Sequence, residues 1–294
     1  MSSRELLVAG SIALDTIEGP FGVVDDELGG SALYFALAAS LVLPVRMVAP
    51  VGPDAVDRVK DVLRGRDIDA SAMEVIDVPT YRWHARQVGG RNKDLGSRDS
   101  IYDKWKPAIP RGYAGWAFVG SMRPDRQAEA TGLLTNAELL AADAMLSYLA
   151  ALPDGAQSVL RNAGWYFCNH EEFAAMGGRD PEEFRRGQSL EGLVVKAGPS
   201  GVTVYTNRGA THVPALEGAG VSDTTGAGDA LAGGMLARWL AMDGAPDGLA
   251  EALVWGVACA SIAISAIGLA GLIAANPQTL RDRVEEVTTG LRES

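Results

Sequence analysis

Short apolar runs alternate with helical stretches along most of this chain, and that alternation constrains its fold more than any other feature. Leu6–Ala9 reads as a strand ending at Gly10, and Ser31–Val42 as a small-residue helix after Gly29-Gly30. Val45–Val51 reads as a second strand, and Asp54–Arg64 as a helix with Val56, Val59 and Leu63 on one face. Strand–helix–strand–helix order implies a largely parallel sheet covered by helices. The pattern resumes at Trp116–Gly120 and continues through strands at Leu139–Ala144 and Trp165–Cys168. Leu193–Lys196, Val202–Thr206 and Thr211–Pro214 stand at hairpin spacing. Gly226–Met242 reads as a helix opened by a Gly-rich turn, and Pro277–Leu291 as an amphipathic helix.

Between the two α/β stretches, residues 74–113 read differently. Short strand-like runs such as Tyr81–Val88 carry Tyr81, Trp83, Tyr102, Trp105 and Tyr113, with Trp116 just beyond. Arg82, Arg86, Arg91, Lys93, Arg98, Lys104, Lys106 and Arg111 outnumber Asp94, Asp99 and Asp103. We read this stretch as an inserted β-element outside the main sheet.

A net charge of −11 argues against a general nucleic-acid binder, because phosphate contacts want a basic surface. Cys168 and Cys259 sit in apolar runs with no zinc or disulfide spacing, as expected of a reducing cytoplasm. No secretory signal opens the sequence, since a short apolar run follows Glu5 directly. Ala252–Ala275 carries no charge and is long enough to span a bilayer. About half of it is Ala, Gly or Ser, with Gly268 and Gly271 as breakers. A buried helix and loop, with no membrane role, is the expectation.

The chemistry concentrates in Ser222-Asp223-Thr224-Thr225-Gly226-Ala227-Gly228-Asp229. Small residues let the backbone approach a ligand closely. The helix that follows presents unpaired N–H groups and the positive end of its dipole, a setting for phosphate. A carboxylate in its first turn, Asp229, stands where it can take a proton from an attacking hydroxyl. An ordinary capped helix is the plain alternative.

The whole string resembles the C-terminal motif of the ribokinase-like (PfkB) carbohydrate kinases, and other pieces follow in that family's order. The resemblance implies an α/β three-layer sandwich with a mostly parallel sheet, a single domain over 1–294, and a small β lid inserted at about 12–30 and 74–113. It implies transfer of the ATP γ-phosphoryl group to a hydroxyl of a small polyol, with Asp229 as base and the amides of Thr225, Gly226, Ala227 and Gly228 as anion hole. Gly10-Ser11-Ile12-Ala13-Leu14-Asp15 is similar to the family's first strand and turn, so Asp15 is expected to bind substrate hydroxyls, with Gly29-Gly30 at the same pocket. Where the family places asparagine, this chain has Tyr34, which either meets the substrate or packs in the core.

Asn169-His170-Glu171-Glu172 resembles the Asn-x-x-Glu motif, implying that Asn169 and Glu172 organise a magnesium and phosphate region, indirectly through water. A helix cap explains the same residues. Gly198 and Gly201, after a strand ending at Lys196, resemble the nucleotide-side loop and are expected to admit ATP closely. Asp223 and Thr225 match positions near a monovalent-cation (potassium) site in some members. Residues 258–266 line the adenine pocket by the same resemblance. Family members often pair through their lids, which implies a possible homodimer. A sugar is the default acceptor, with a cyclitol or a nucleoside as competitors. A catalytically silent regulatory protein of the same fold is the reading from another class. No phosphate-binding P-loop and no Gly-x-Ser-x-Gly elbow is present.

Overall fold

The computed structural model describes residues 4–89 and 91–293. Strand β1 (Leu6–Ala9) is fully buried, and the chain leaves it through Gly10-Ser11. A hairpin of β2 (Ala13–Gly19) and β3 (Gly22–Gly29) then departs from the main sheet. Helix α1 (Ser31–Ala39), β4 (Val45–Val51), α2 (Val56–Leu63) and β5 (Ile68–Val75) return to it. A second excursion, β6 (Tyr81–Val88) and β7 (Arg91–Arg98), pairs with β2 to give a separate four-stranded sheet ordered β3-β2-β6-β7. Next come α3 (Ile101–Lys104), β8 (Trp116–Val119), α4 (Pro124–Leu133), β9 (Leu139–Asp143), α5 (Leu146–Ala151) and α6 (Pro153–Asn162). They are followed by β10 (Trp165–Asn169), α7 (His170–Ala175), α8 (Pro181–Gly187), β11 (Gly192–Lys196), β12 (Val202–Thr206) and β13 (Gly209–Val213). The chain ends in α9 (Ala227–Ala241), α10 (Leu249–Ile264), α11 (Ala270–Ala274) and α12 (Pro277–Glu293).

The large sheet has nine strands in the order β13-β12-β11-β10-β9-β8-β1-β4-β5. All neighbours from β11 to β5 are parallel; β12 and β13 add an antiparallel edge. Strands buried on both faces need near-continuous apolar runs. That is why LLVA, WAFV and WYFC could be read as strands without any alternation. Side chains leave the sheet alternately into two cores. Phe118 of β8 stacks on Phe35 of α1 at 4.5 Å between ring centroids, while Ala117 and Val119 face the layer of α4 and α6. Helices on both faces give the expected three-layer α/β sandwich.

The uncharged run near the C-terminus is a core device. α10 is apolar and long enough to cross a membrane by composition, but most of it is buried, chiefly against α9 and α12. A Cβ on Gly256 would stand 2.8 Å from the Leu231 carbonyl, and one on Gly234 2.5 Å from Cys259 Sγ, so both glycines allow α9 and α10 to meet closely. The helix stops at Ile264, and Gly268 takes φ +58° in the turn that follows.

Four strands escape a reading by periodicity. β3 (GVVDDELG) and β5 (IDASAMEV) are edge strands with polar residues on both faces, so neither gives an apolar signal. β2 shifts register against β3 between Asp15 and Ile17, and β7 (RNKDLGSR) is almost wholly polar. The inserted stretch is also not uniform. Strands of the small sheet occupy 81–98 of it, whereas Tyr102 and Trp105 lie fully buried, 6.1 Å apart between centroids. Tyr102 in turn packs 5.8 Å from Tyr81.

Candidate active site

The carboxyl ends of β9, β10 and β11 lie side by side in register. Asp143 ends β9, Asn169 ends β10, and Lys196 ends β11 opposite Asn169. Crevices at the carboxyl ends of parallel strands are where open α/β sheets bind ligands. α9 points its N-terminus at this row. Gly226, at φ +71°, is its cap, and Asp229 lies in its first turn.

Burial pushes the Asp229 carboxyl up, Lys196 pulls it down, Glu172 pushes it up again and a hydrogen bond with Asp143 pulls it down; the balance is a pKa of about 6. Burial and the negative charge of Asp229 push Asp143 well above the usual carboxylate range. Asp143 therefore keeps the proton that the two share, and Asp229 is the member that ionises first. Each retains an Oδ1 that is buried and without a partner. Burial works against the charge of Lys196, but Glu172, Asp143 and Asp229 outweigh it and hold the ammonium protonated. Its Nζ lies 2.7 Å from where a Cβ on Gly228 would stand, so it sits directly under the Gly-rich turn. Neither Lys196 nor Asp143 was singled out from sequence as a site residue. The available signal was a lone charge closing an apolar strand: LLAAD and GLVVK.

Asn169 and Glu172 close a capping box. Asn169 Oδ1 accepts from the amides of Glu171 and Glu172 at 2.9 Å each, and Glu172 Oε2 accepts from the Asn169 amide at 2.7 Å. The helix cap is therefore what these residues build. Glu172 nonetheless faces Lys196 and Asp229 from inside that cap. No group of three or more His, Cys, Asp or Glu able to hold a metal ion is found among the described residues. The free Oδ1 of Asp143 and the Glu172 carboxylate still suit a hard cation held through its own waters, as magnesium often is.

Asp223 ties the Gly-rich loop to its neighbours. Its Oδ1 accepts from the Thr225 amide (2.9 Å), the Thr225 hydroxyl (2.7 Å) and Gln87 Nε2 (2.6 Å); its Oδ2 accepts from the Gly268 amide (3.0 Å). Three donors crowd Oδ1, while Oδ2 carries one and keeps an acceptor position free. A monovalent cation near Asp223 would meet three competing donors at Oδ1 and a freer oxygen at Oδ2. The Thr225 amide is also withdrawn from the expected anion hole, since it is spent on Asp223. The Ala227 amide leans on the Thr224 carbonyl at 3.4 Å. Gly226 and Gly228 are left as the better-placed donors.

The small sheet lies over this loop. Gln87 near the end of β6 holds Asp223, and Asn92 of β7 donates to the Thr225 hydroxyl at 3.0 Å. Alternation along β6 explains the mixed aromatic and basic composition of this stretch. Tyr81, Trp83, Ala85 and Gln87 share the inner face, while Arg82, His84 and Arg86 share the outer one. There they pair with Asp26, Asp54 and Glu18. The side chain of Arg91 lies outside the described residues.

Asp15 projects from the inner face of β2, 3% exposed, with Oδ1 lacking a partner. Its Oδ2 would be 2.5 Å from a Cβ on Gly29, so Gly29 gives the carboxylate its room. Gly30, at φ +102°, packs against the backbone of Ser11, Ile12 and Ala13 as the cap of α1. Ser11 and Ser31 exchange amide-to-hydroxyl bonds of 3.0 Å each way, which clamps that cap to the turn after β1. Tyr34 packs in the core at 1% exposure, its ring against Gly226, where a Cβ would overlap the ring carbons. Its hydroxyl is buried without a partner and feels Asp15, Asp223, Glu27 and Asp229. Tyr34 thus joins the two halves of the site. Gly198 is exposed after β11, whereas Gly201, at φ +89°, is required by contact with the Val213 carbonyl and Pro214. Packing of the β11–β12 turn accounts for Gly201 without a ligand.

Residues 117–275, just over half of the chain, match the family described as pfkB family carbohydrate kinase. The chain belongs to the PfkB family of carbohydrate kinases. No curated protein sequence matches it. Among solved structures, a nucleoside kinase of Methanocaldococcus jannaschii, described as an archaeal member of the ribokinase family, superposes with a TM-score of 0.77 at 18% identity, covering 96% of this chain and 98% of that one. A Burkholderia thailandensis nucleoside kinase in complex with inosine gives 0.76 at 19% identity, covering 96% and 98%. A double-mutant fructokinase from Vibrio cholerae O395, bound to fructose, ADP and potassium, gives 0.78 at 18% identity, covering 97% and 100%. At these identities the likeness is one of fold, and the fold of this PfkB member is ribokinase-like.

Proposed function

We propose that this PfkB member is an ATP-dependent kinase that transfers the γ-phosphoryl group to a hydroxyl of a small polyol of the sugar or nucleoside class. One observation carries the reading. Asp229 is a partly buried carboxylate with a free oxygen and a pKa of about 6, in the first turn of a helix whose Gly-rich cap offers backbone amides. It is ionised at neutral pH and suited to take a hydroxyl proton, while the amides of Gly226 and Gly228 and the Lys196 ammonium face the phosphoryl group. Proton transfer to Asp229 frees the acceptor oxygen to attack phosphorus, and ADP leaves from the opposite side.

Asp143 and Glu172 are the residues that would hold magnesium through its waters; when bound it neutralises triphosphate charge. Gly198 borders the nucleotide side. Asp15 and the Gly29-Gly30 turn orient the acceptor, and the small sheet acts as a lid that excludes water from ATP. The whole chain works as one kinase domain in which residues 13–29 and 81–98 supply that lid.

The test is ADP release with MgATP across pentoses, hexoses, cyclitols, amino sugars and nucleosides, repeated with Asp229→Asn. The expected outcome is one responsive acceptor class whose kcat drops by about 10³-fold in the variant, with ATP affinity retained. A near-wild-type rate for Asp229→Asn removes the proposed base. Binding of ATP with no acceptor-dependent ADP release favours a silent regulatory protein instead.

A further inference from the structure

The acceptor side of the site holds more negative charge than binding a neutral polyol requires. Strand register places Glu27 of β3 directly opposite Asp15 of β2, and Asp15 opposite Trp83 of β6. The three side chains form a row across three strands on the inner face of the small sheet. Like charges directly opposed on one face destabilise a sheet, so this pair works against folding of the empty protein. The groups acting on Asp15 compound the problem: its own burial, then Asp223, then Glu27, all pushing its carboxyl up. Glu27 is raised by burial and by Asp223, with Arg58 the one cation offsetting it. The basic residues of β6 give no relief, because they face outward and are already paired.

A second observation is independent of that charge count. Asp15 and Tyr34 are 3% and 1% exposed, and Asp15 Oδ1 and the Tyr34 hydroxyl have no hydrogen-bond partner. Buried polar atoms without partners are costly and rare, and here they border the Gly226 turn and Asp229. The indole N–H of Trp83, beside Asp15 in the row, is likewise unpartnered, a donor that a hydroxyl oxygen of a bound polyol can satisfy. Two carboxyl groups in one row beside a tryptophan form a surrounding that favours an organic cation over a neutral group. A neutral polyol would satisfy hydrogen bonds but leave the opposed charges uncompensated, and an anionic acceptor would add to them.

Resting on the kinase reading above, we propose that the row Glu27, Asp15 and Trp83 receives the ammonium group of the acceptor, so that the preferred substrate is an amine-bearing polyol of the amino sugar or aminocyclitol class. The ammonium stays protonated and has no lone pair, so it anchors and does not attack. A hydroxyl of the same molecule loses its proton to Asp229, its oxygen forms the bond to the γ-phosphorus, the bond from that phosphorus to the β–γ bridging oxygen breaks, and ADP departs with that electron pair. The product is a phosphate monoester that still carries its ammonium.

The experiment uses matched pairs on the full-length protein: glucosamine, galactosamine and mannosamine, each against its parent hexose and its N-acetyl form, and an inosamine against the corresponding inositol. Binding is read by calorimetry with magnesium and a non-hydrolysable ATP analogue, so it does not depend on turnover. At least one amine is expected to bind about tenfold or more tightly than both its neutral counterparts. In Glu27→Gln that ratio is expected to fall toward one, whereas a merely structural role for Glu27 would weaken both members alike. Equal binding of amine and neutral forms throughout, absence of binding by every amine, or an unchanged ratio in Glu27→Gln overturns the proposal. Failure of the kinase reading looks different: loss of nucleotide binding, or amine binding that yields no ADP from MgATP.

Discussion

The two sides of the site treat charge in opposite ways. At the carboxyl ends of β9 to β11, Asp143, Glu172 and Asp229 surround one ammonium, Lys196, and the cluster is balanced with a proton to share. On the small sheet, Glu27 and Asp15 face each other across strands with Asp223 close by, and the groups acting on Asp15 all oppose its ionisation. The first side has its counter-charge in place before any ligand arrives, although Asp143 and Asp229 each keep a free Oδ1. The second has no cation facing Asp15 among the described residues. The contrast suggests that specificity is set on the small sheet and chemistry on the large one.

Tyr34 and Gly226 are where the two sides touch, so the sharpest way to break the comparison is there. Gly226→Ala places a methyl into the Tyr34 ring and forces a non-glycine residue to φ +71°. Overpacking and backbone strain together predict a loss of about 2–4 kcal/mol of stability, read from denaturant midpoints, and loss of most activity. An unchanged midpoint would mean that the ring does not wedge the turn, and the two sides would then be independent.

Lys196→Met perturbs the balanced side alone. Lys196 pulls the Asp229 pKa down, so its removal lets that pKa rise above about 6. The active form of a base lies above its pKa, so the acid limb of the kcat profile is expected to move to higher pH. The rate is expected to fall by about 10²-fold near pH 6.5 and by less near pH 8. A uniform fall at all pH values would assign Lys196 to phosphate binding only, without influence on the base.

Much of this arrangement was legible in the sequence, for physical reasons that also explain the gaps. β1, β4, β6 and β12 show the bounds read from the sequence, because buried or regularly alternating strands write themselves into residue order. The Gly-rich turn and Asp229 were visible because one short local structure brings them together. Asp143 and Lys196 were not, since their meeting depends on strand order, which places three chain-distant strand ends side by side. The same holds for Glu27, which lies in a polar edge strand and gains meaning only from its register with Asp15. Asn169 and Glu172 show the converse. Their motif was readable, but the structure commits both to a helix cap, so their spacing alone does not establish a metal site.

Gln87 gives the smallest expected effect and the finest distinction between the two sides. Its amide is the contact from the small sheet to the Asp223 carboxylate, at 2.6 Å, and it shares Oδ1 with the amide and hydroxyl of Thr225. A side-chain amide in that place makes a monovalent cation unnecessary for holding the Gly-rich turn, so wild-type activity is expected to be indifferent to replacement of potassium by a large organic cation. Gln87→Ala frees that position and removes one hydrogen bond to a charged group, worth about 1.5–3 kcal/mol. The acceptor KM is expected to rise by about tenfold with kcat changed little, because the small sheet is held less firmly while the large-sheet cluster is untouched. Potassium should then restore part of the loss by occupying the vacated oxygen. Strict potassium dependence of the wild-type protein would show instead that the cation displaces Gln87 in the working enzyme, and that the Asp223 carboxylate belongs to the balanced side of the comparison rather than to the latch between the two.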